Sequence, residues 1–272
     1  MNYLTKTMNL TGSLPESKLV LYLQDQSPEI SMPNRPMVVV CPGGGYLWTS
    51  DREAEAIALQ FLAMGYHAAV LRYSCTPATY PTALLEAADS LRYIRAHAQQ
   101  WHIDPTHVYL LGCSAGGHLA ANLGVSWNRE VVQKGLGLTK EETTSVRPDG
   151  LILCYPVITA GEFAHKGSFE NLLGNQMERK EEVSLEHLVT DQVPPVFLWH
   201  TFTDPVVPVE NSLLFAAALR KAGVSTELHM FAKGGHGLSL ANKLTRSESP
   251  DTMQPECTSW VGLVHTWIES QL

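Results

Sequence analysis

Residues 112–116 of this chain read Gly-Cys-Ser-Ala-Gly, and this run constrains the fold more than any other feature of the sequence. The apolar stretch 108–111 leads into it, and the small-residue stretch 117–123, which is compatible with a helix, follows it. A G-x-S-x-G run in this context forms a sharp turn between a strand and a helix. Glycine at both ends avoids a Cβ that would crowd the strand or the helix. The sequence therefore predicts that Ser114 is lifted above a sheet edge, beside the free N–H groups of a helix N-terminus.

Two further loops carry the residues that such a serine needs. Asp204 follows the apolar run 196–199, and His236 follows the run 226–231. We expect both loops to open on the same sheet edge as Ser114, because open α/β sheets place their sites at the carboxyl ends of their strands. A neutral hydroxyl is a poor nucleophile, and a hydrogen-bonded imidazole can remove its proton. The hypothesis is that the histidine acts as this base and that the aspartate fixes its tautomer.

A glycine-rich loop follows another predicted strand. Residues 37–41 are apolar, and Pro-Gly-Gly-Gly-Tyr at 42–46 comes directly after them. Glycines let the main chain approach a substrate closely, so that backbone N–H groups can stabilise a developing oxyanion. By position we assign an oxyanion hole to Gly44, Gly45 and the N–H of Ala115.

Together these motifs resemble the α/β-hydrolase fold carboxylesterases of the acetyl esterase and acetyl-xylan or feruloyl esterase type. The resembling runs are colinear and span nearly the whole chain, at 41–48, 50–53, 71–74, 112–120, 200–208 and 234–237. Pro42 stands where many relatives carry histidine, but the donors of this loop are backbone groups. The resemblance implies two-step ester hydrolysis through an acyl-enzyme, with Ser114, Asp204 and His236 as the triad. It also implies short acyl esters as substrates, above all acetyl groups on sugars or xylo-oligosaccharides.

Other residues beside these motifs have less defined roles. Tyr46 and Trp48 follow the glycine loop and are expected to line the acyl or leaving-group pocket, with core packing as the alternative. His118 is expected to pack or hydrogen-bond within the helix after Ser114, and His200 to lie behind Asp204. The run Asp-Arg-Glu at 51–53 is interpreted as N-terminal capping of the helix that follows.

The hydrophobic pattern predicts one α/β domain over residues 1–272, with a mostly parallel central sheet and helices on both faces. Predicted strands cover 18–24, 37–41, 67–72, 108–111, 151–155, 196–200 and 226–231. Predicted helices cover 51–64, 81–99, 210–221 and 259–269, and the first should bury Ala56, Leu59, Phe61 and Leu62. Residues 159–193 are charged and lie where hydrolases of this fold often insert a cap. We expect a small partial cap there, with a solvated helix beside the site as the alternative.

Composition argues against several function classes. The formal net charge is −8, from 19 basic and 27 acidic residues, and no basic run of the kind that binds nucleic acid or anionic lipid is present. No apolar stretch is long enough to span a membrane. The five cysteines form no zinc-binding spacing and are expected to be buried free thiols; they stand at 41, 75, 113, 154 and 257. We expect no metal and no organic cofactor. The N-terminal residues lack the apolar segment of a secretory signal, which with the free thiols favours the cytoplasm.

The expected partner is a small-molecule ester such as an acetylated oligosaccharide, and assembly into a homo-oligomer stays open. Two other interpretations of the chain also stay open at this point. One is a serine peptidase of the same fold, although such peptidases usually carry a large extra domain and this chain has 272 residues. The other is a catalytically silent binding protein on this scaffold, although silent relatives typically lose the serine or the histidine.

Overall fold

The computed structural model describes residues 1–248 and 252–272 of the chain. The strands of these ranges are β1 (Asn2–Thr7), β2 (Lys18–Leu23), β3 (Arg35–Cys41), β4 (His67–Arg72), β5 (Ile103–Cys113), β6 (Gly150–Cys154), β7 (Val196–Thr201) and β8 (Thr226–Phe231). They form one sheet in the order β1-β2-β4-β3-β5-β6-β7-β8. The pairs β1–β2 and β2–β4 are antiparallel, and the other pairs are parallel. The predicted mostly parallel sheet is confirmed.

Helices cover both faces of this sheet. They are α1 (Glu55–Ala63), α2 (Thr82–Ala96), α3 (Ala98–Trp101), α4 (Ala115–Ser126), α5 (Glu130–Leu136), α6 (Lys166–Leu173), α7 (Glu210–Ala222) and α8 (Trp260–Glu269). Side chains of β3 alternate between two apolar clusters, with Met37, Val39 and Cys41 on one face and Val38 and Val40 on the other. Helices α2, α4 and α7 complete the first cluster, and α1 and α8 complete the second. Burial on both faces explains why the central strands are continuous apolar runs.

The parallel strands bring four loops to one edge of the sheet. β3 ends at Cys41, directly before the glycine loop, and β5 ends at Cys113, directly before Ser114. β7 and β8 end at Thr201 and Phe231, shortly before Asp204 and His236. Because these strands share a direction, all four loops leave the sheet on the same side.

Several elements differ from the sequence prediction. No helix was predicted where α5 lies, and the single helix predicted over 81–99 is two helices, α2 and α3, separated at His97. β1 was not predicted, because it is an edge strand whose residues are largely exposed and show no apolar alternation. The predicted helix over 51–64 is split: Asp51–Glu53 is a single 3₁₀ turn, and α1 begins at Glu55. The backbone at Ala54 (φ −104°, ψ −105°) interrupts the helix and changes its phase. Ile57, Ala58 and Phe61 are therefore buried, whereas Leu59 is 40% exposed, so its predicted burial was wrong.

The segment 159–193 packs against the domain. It contains α6 and two 3₁₀ turns, Met177–Glu182 and Leu185–His187. Phe169 and Leu173 of α6 and Val183 belong to the first apolar cluster. The carbonyl of Val183 lies 2.8 Å from Nε2 of His118 in α4. Buried contacts of this kind fix the segment on the molecule.

Two buried histidines make the stability of the fold depend on pH. Burial lowers the pKa of His67 and of His118 from 6.5 to about 4. Below about pH 6.5 the unfolded chain takes up protons at both residues, while the folded chain keeps them neutral. The unfolded state therefore binds more protons than the folded state between pH 6.5 and 4. The free energy of unfolding decreases as the pH is lowered across that window. Each histidine contributes a loss of about 3 kcal/mol by pH 4.

Urea unfolding at several pH values between 7.5 and 4.5 measures this loss. The slope of the unfolding free energy against pH should shrink in His118→Gln, because one of the two titrating groups is removed. Equal stability at pH 7 and pH 5 in the wild type would contradict the assignment of both residues as neutral buried histidines.

Candidate active site

Ser114 lies at the turn between β5 and α4. Its backbone (φ 54°, ψ −118°) is in a region that residues with a side chain rarely adopt, and such strain is typical of functional sites. A Cβ added to Gly112 would lie 2.1 Å from the carbonyl oxygen of Gly116, and one added to Gly116 would lie 2.1 Å from that of Cys41. The two glycines of the G-x-S-x-G run are thus required by the close packing of β3, β5 and α4.

The structure brings Ser114, His236 and Asp204 into one hydrogen-bonded row. Ser114 Oγ lies 2.7 Å from His236 Nε2, and His236 Nδ1 lies 2.7 Å from Asp204 Oδ2. The aspartate side chain is fully buried, and the histidine side chain is 15% exposed. The ring of Tyr155 packs edge-on against the imidazole, with ring centroids 5.2 Å apart. This arrangement can transfer a proton from the hydroxyl to the imidazole and stabilise the resulting imidazolium.

The surroundings of Asp204 keep its carboxylate ionised. Burial alone would raise the pKa of this group, but hydrogen bonds from His200 and His236 outweigh burial and hold the pKa well below its usual range. Oδ1 also accepts the N–H groups of Val206 and Val207, at 2.9 and 3.0 Å. Nε2 of His200 lies 3.3 Å from Oδ2, so this residue stands behind the aspartate, where the sequence placed it.

The glycine loop places free N–H groups next to Ser114. Within residues 1–248 and 252–272, the N–H groups of Gly44, Gly45 and Ala115 have no protein acceptor. Gly44 (φ 129°) must be glycine, because a Cβ there would lie 2.1 Å from the carbonyl oxygen of Trp48. Gly44 and Gly45 line the same cleft as Ser114, and Ala115 begins α4. Because these N–H groups donate to no described protein acceptor, they are available as donors to an oxyanion.

An open cleft of about 410 Å³ surrounds this row of residues. Leu47 and Trp48, 51% and 58% exposed, line it, together with His165 and Asn171 from the segment 159–193. Nδ2 of Asn171 donates to the carbonyl of Gly45 at 2.9 Å and so fixes the glycine loop from outside. Burial and the neighbouring His236 lower the pKa of His165, whose ring lines the cleft.

Tyr46 does not line the cleft, and the expectation that it does was wrong. Its side chain is buried, and its hydroxyl lies 2.8 Å from Nδ1 of His118. The ring packs edge-on against Tyr73, with centroids 5.7 Å apart. Tyr46 has a left-handed backbone (φ 58°), which turns its side chain into the core while Trp48 stays at the cleft. The alternative of core packing is the correct one.

The run 51–53 contributes to the site and makes no side-chain cap. The 3₁₀ turn and α1 both lack a side-chain hydrogen bond at their N-caps. Instead Arg52 and Glu53 line the cleft, and the guanidinium of Arg52 donates to the carbonyls of Gly237 and Thr245 at 2.9 and 2.6 Å. Sequence reasoning missed both roles. The sequence did contain one signal for these roles. Residues 50–53 form one of the runs that resemble the carboxylesterases, and no capping motif explains that resemblance.

All five cysteines are free and buried, as expected. Across the described residues, no cluster of three or more His, Cys, Asp or Glu side chains is arranged to hold a metal ion. Within the same ranges, none of the helices combines the length and apolar character needed to cross a membrane.

The chain is similar in sequence to known proteins. Residues 23–219 match the BD-FAE family. The chain belongs to this family. It is 28% identical over 244 residues to the acetylxylan esterase of Xylanibacter ruminicola, covering 86% of this chain and 46% of that protein. The chain spans about a third to a half of the length of the curated relatives that it matches.

Solved structures of similar length resemble the whole fold. An acetyl ester-xyloside bifunctional hydrolase from Caldicellulosiruptor lactoaceticus is 38% identical with a TM-score of 0.79, covering 93% of this chain and 88% of that one. The alpha/beta hydrolase MGS-M1, from a deep-sea metagenome library of the Medee basin, is 34% identical with a TM-score of 0.79, covering 99% and 97%. The α/β-hydrolase fold predicted from the sequence is confirmed.

Proposed function

We propose that this protein is a serine carboxylesterase that hydrolyses short-chain acyl esters, above all acetyl groups on sugars or xylo-oligosaccharides. The observation that carries the proposal is the row Ser114–His236–Asp204, joined by two contacts of 2.7 Å at an open cleft. Nucleophile, base and orienting carboxylate in this geometry are the requirements of acyl transfer through an acyl-enzyme.

In the first half of the reaction Ser114 attacks the ester carbonyl while Nε2 of His236 takes its proton. Asp204 stays ionised, holds the proton on Nδ1 and stabilises the imidazolium. The histidine then protonates the departing alcohol, and the acyl group remains on the serine. In the second half a water molecule attacks the acyl-enzyme, with the same imidazole as general base.

The tetrahedral intermediate of each half carries a negative charge on the former carbonyl oxygen. The N–H groups of Gly44, Gly45 and Ala115 stabilise this charge, since none of them is engaged by another group of the described chain. Their orientation is fixed before the substrate arrives, because Asn171 holds the carbonyl of Gly45 at 2.9 Å. In this role the segment 159–193 serves as a small partial cap.

A sugar ester suits this cleft better than a long acyl chain does. Arg52, His165 and Asn171 supply polar groups for hydroxyls, and the exposed ring of Trp48 supplies a flat apolar surface. The cleft is short and open, so it offers no enclosed tunnel for many methylenes. Two of the similar proteins are named for acetyl ester or acetylxylan hydrolysis, which supports the same substrate class.

Hydrolysis of a series of aryl esters from acetyl to decanoyl tests the proposal. We expect kcat/KM to be highest between acetyl and butyryl, because an apolar pocket discriminates by only about 1–3 kcal/mol per methylene. Chains of about eight or more carbons should react far more slowly, because they extend beyond the cleft. Acetylated xylobiose should release acetate.

Controls separate the alternative functions. A fluorophosphonate probe should label Ser114 in the wild type and leave Ser114→Ala unlabelled. Turnover of a peptide amide at a rate above that of the acetyl ester would favour a peptidase. Absence of both labelling and turnover would favour a silent binding protein.

A further inference from the structure

Glu53 is a buried carboxylate at the floor of the cleft, only 3% exposed, and the proposed mechanism does not use it. We infer that it is a positioning residue that fixes the position of the glycine loop relative to the His236 side of the site. The inference rests on the proposed function, because it assigns Glu53 a part in stabilising the same transition state.

The first contact of Glu53 is with the glycine loop. Its Oε2 accepts the N–H of Gly43 at 2.9 Å. The fit is close, since a Cβ added to Gly43 would lie 2.5 Å from Oε2 and 3.0 Å from Cβ of Ser114. Three successive glycines would otherwise rotate freely about their backbone bonds. The carboxylate fixes the first of them, and this orients the next two, whose N–H groups are free.

The second contact reaches the histidine. Oε1 of Glu53 accepts the hydroxyl of Tyr155 at 2.8 Å, and that hydroxyl accepts the N–H of Ser239 at 2.8 Å. The ring of Tyr155 packs edge-on against the imidazole of His236. Tyr155 and Ser239 both have left-handed backbones, with φ of 37° and 53°. Such conformations persist only where surrounding contacts hold them. Here the contacts run from Ser239 through the hydroxyl of Tyr155 to the carboxylate of Glu53.

A carboxylate is the side chain that this position requires. Each of its oxygens receives one donor, and an ionised carboxylate is acceptor-only. A glutamine would accept one donor and turn its NH₂ group towards the other. A negative charge near a developing oxyanion destabilises that oxyanion. Glu53 therefore assists the reaction by positioning other groups, and not through its charge.

The test compares Glu53→Gln with the wild type in two measurements. For an aryl acetate we expect kcat to fall by about 10–100-fold, less than the loss of a whole oxyanion-hole donor, while KM changes by less than about threefold. For a trifluoromethyl ketone, which forms a tetrahedral adduct with the serine, we expect the inhibition constant to rise by a similar factor. If Glu53 only stabilised the fold, its replacement would leave both kcat and the inhibition constant of the folded enzyme unchanged.

Glu86→Gln is a matched control. Glu86 is an equally buried carboxylate, but its partners are Ser13, Ser17 and Ser74, none of which lines the cleft. This variant should lower the melting temperature and leave kcat within about twofold at a temperature where it is folded. Tyr155→Phe removes only the hydroxyl that joins Glu53 to Ser239, and it replaces Glu53→Gln if that variant does not fold. We expect kcat to fall by about 3–30-fold.

The outcomes distinguish this inference from the proposed function. A folded Glu53→Gln with wild-type kcat and wild-type inhibition overturns the inference alone, provided that the wild type hydrolyses acetyl esters. If Tyr155→Phe has to replace it, the same result in that variant overturns the inference. A wild type that neither reacts with a fluorophosphonate nor hydrolyses any ester overturns both.

Discussion

Replacing Ser114 with alanine will lower kcat for an acetyl ester by about 10⁵ to 10⁶-fold, if the three residues of the row act as one unit. The serine hydroxyl lies 2.7 Å from Nε2 of His236, the atom that is to accept its proton. The change removes a single oxygen atom from a side chain that faces the cleft, so the fold and the melting temperature should hardly change. Circular dichroism and steady-state kinetics measured on the same preparation check both parts.

Three further variants test this result. Ser126→Ala removes a hydroxyl from the other end of α4, where it donates to Asn122 at 3.1 Å, and it should keep wild-type activity. His236→Ala should cost about as much as losing Ser114, and the double variant should lose little more, because the residues of a catalytic unit are not additive. If Ser114→Ala retains a tenth of wild-type activity, another residue is the nucleophile.

The loops of the site were predictable because each follows a predicted strand. Ser114 and Asp204 follow buried apolar runs of the kind that a covered parallel sheet explains, and such runs are visible in the sequence. His236 follows the edge strand β8, which has no buried residue. Parallel pairing then brings their loops to one edge without any knowledge of side-chain contacts. The glycine at 44 is a further signal in the sequence, since its backbone conformation (φ 129°) excludes other residues.

The residues that sequence reasoning misplaced depend on distant partners. Glu53 meets Tyr155, 102 positions later, and Arg52 meets Gly237, 185 positions later. Tyr46 turns into the core because His118 offers its hydroxyl a partner 72 positions away. Local periodicity contains no information about such pairs, so the run 51–53 was interpreted as a helix cap. The exposed edge strand β1 was missed for the opposite reason, since it has too little buried surface to leave a pattern.

Replacing Asp204 with asparagine will lower kcat by a factor on the order of 10⁴, less than the loss of the serine. The size of the effect follows from how the side chain is held. Oδ1 accepts the N–H groups of Val206 and Val207, so an asparagine keeps these bonds only by placing its carbonyl there. Its NH₂ group then faces Nδ1 of His236, where Oδ2 stood at 2.7 Å. Two donors cannot face each other, so the imidazole must carry its proton on Nε2, the atom that faces Ser114.

In that tautomer the histidine cannot accept the serine proton, although every heavy atom is in place. The loss should therefore appear in kcat, with KM nearly unchanged, because Asp204 is buried behind the histidine and does not line the cleft. Asp191→Asn is the control: this carboxylate is exposed, its side chain accepts one hydrogen bond within residues 1–248 and 252–272, from Gln192, and its removal should change kcat by less than about twofold. Glu210→Gln tests the carboxylate at the start of α7 in the same way. Near wild-type activity in Asp204→Asn, together with a large loss in either control, would mean that another carboxylate orients His236 during catalysis.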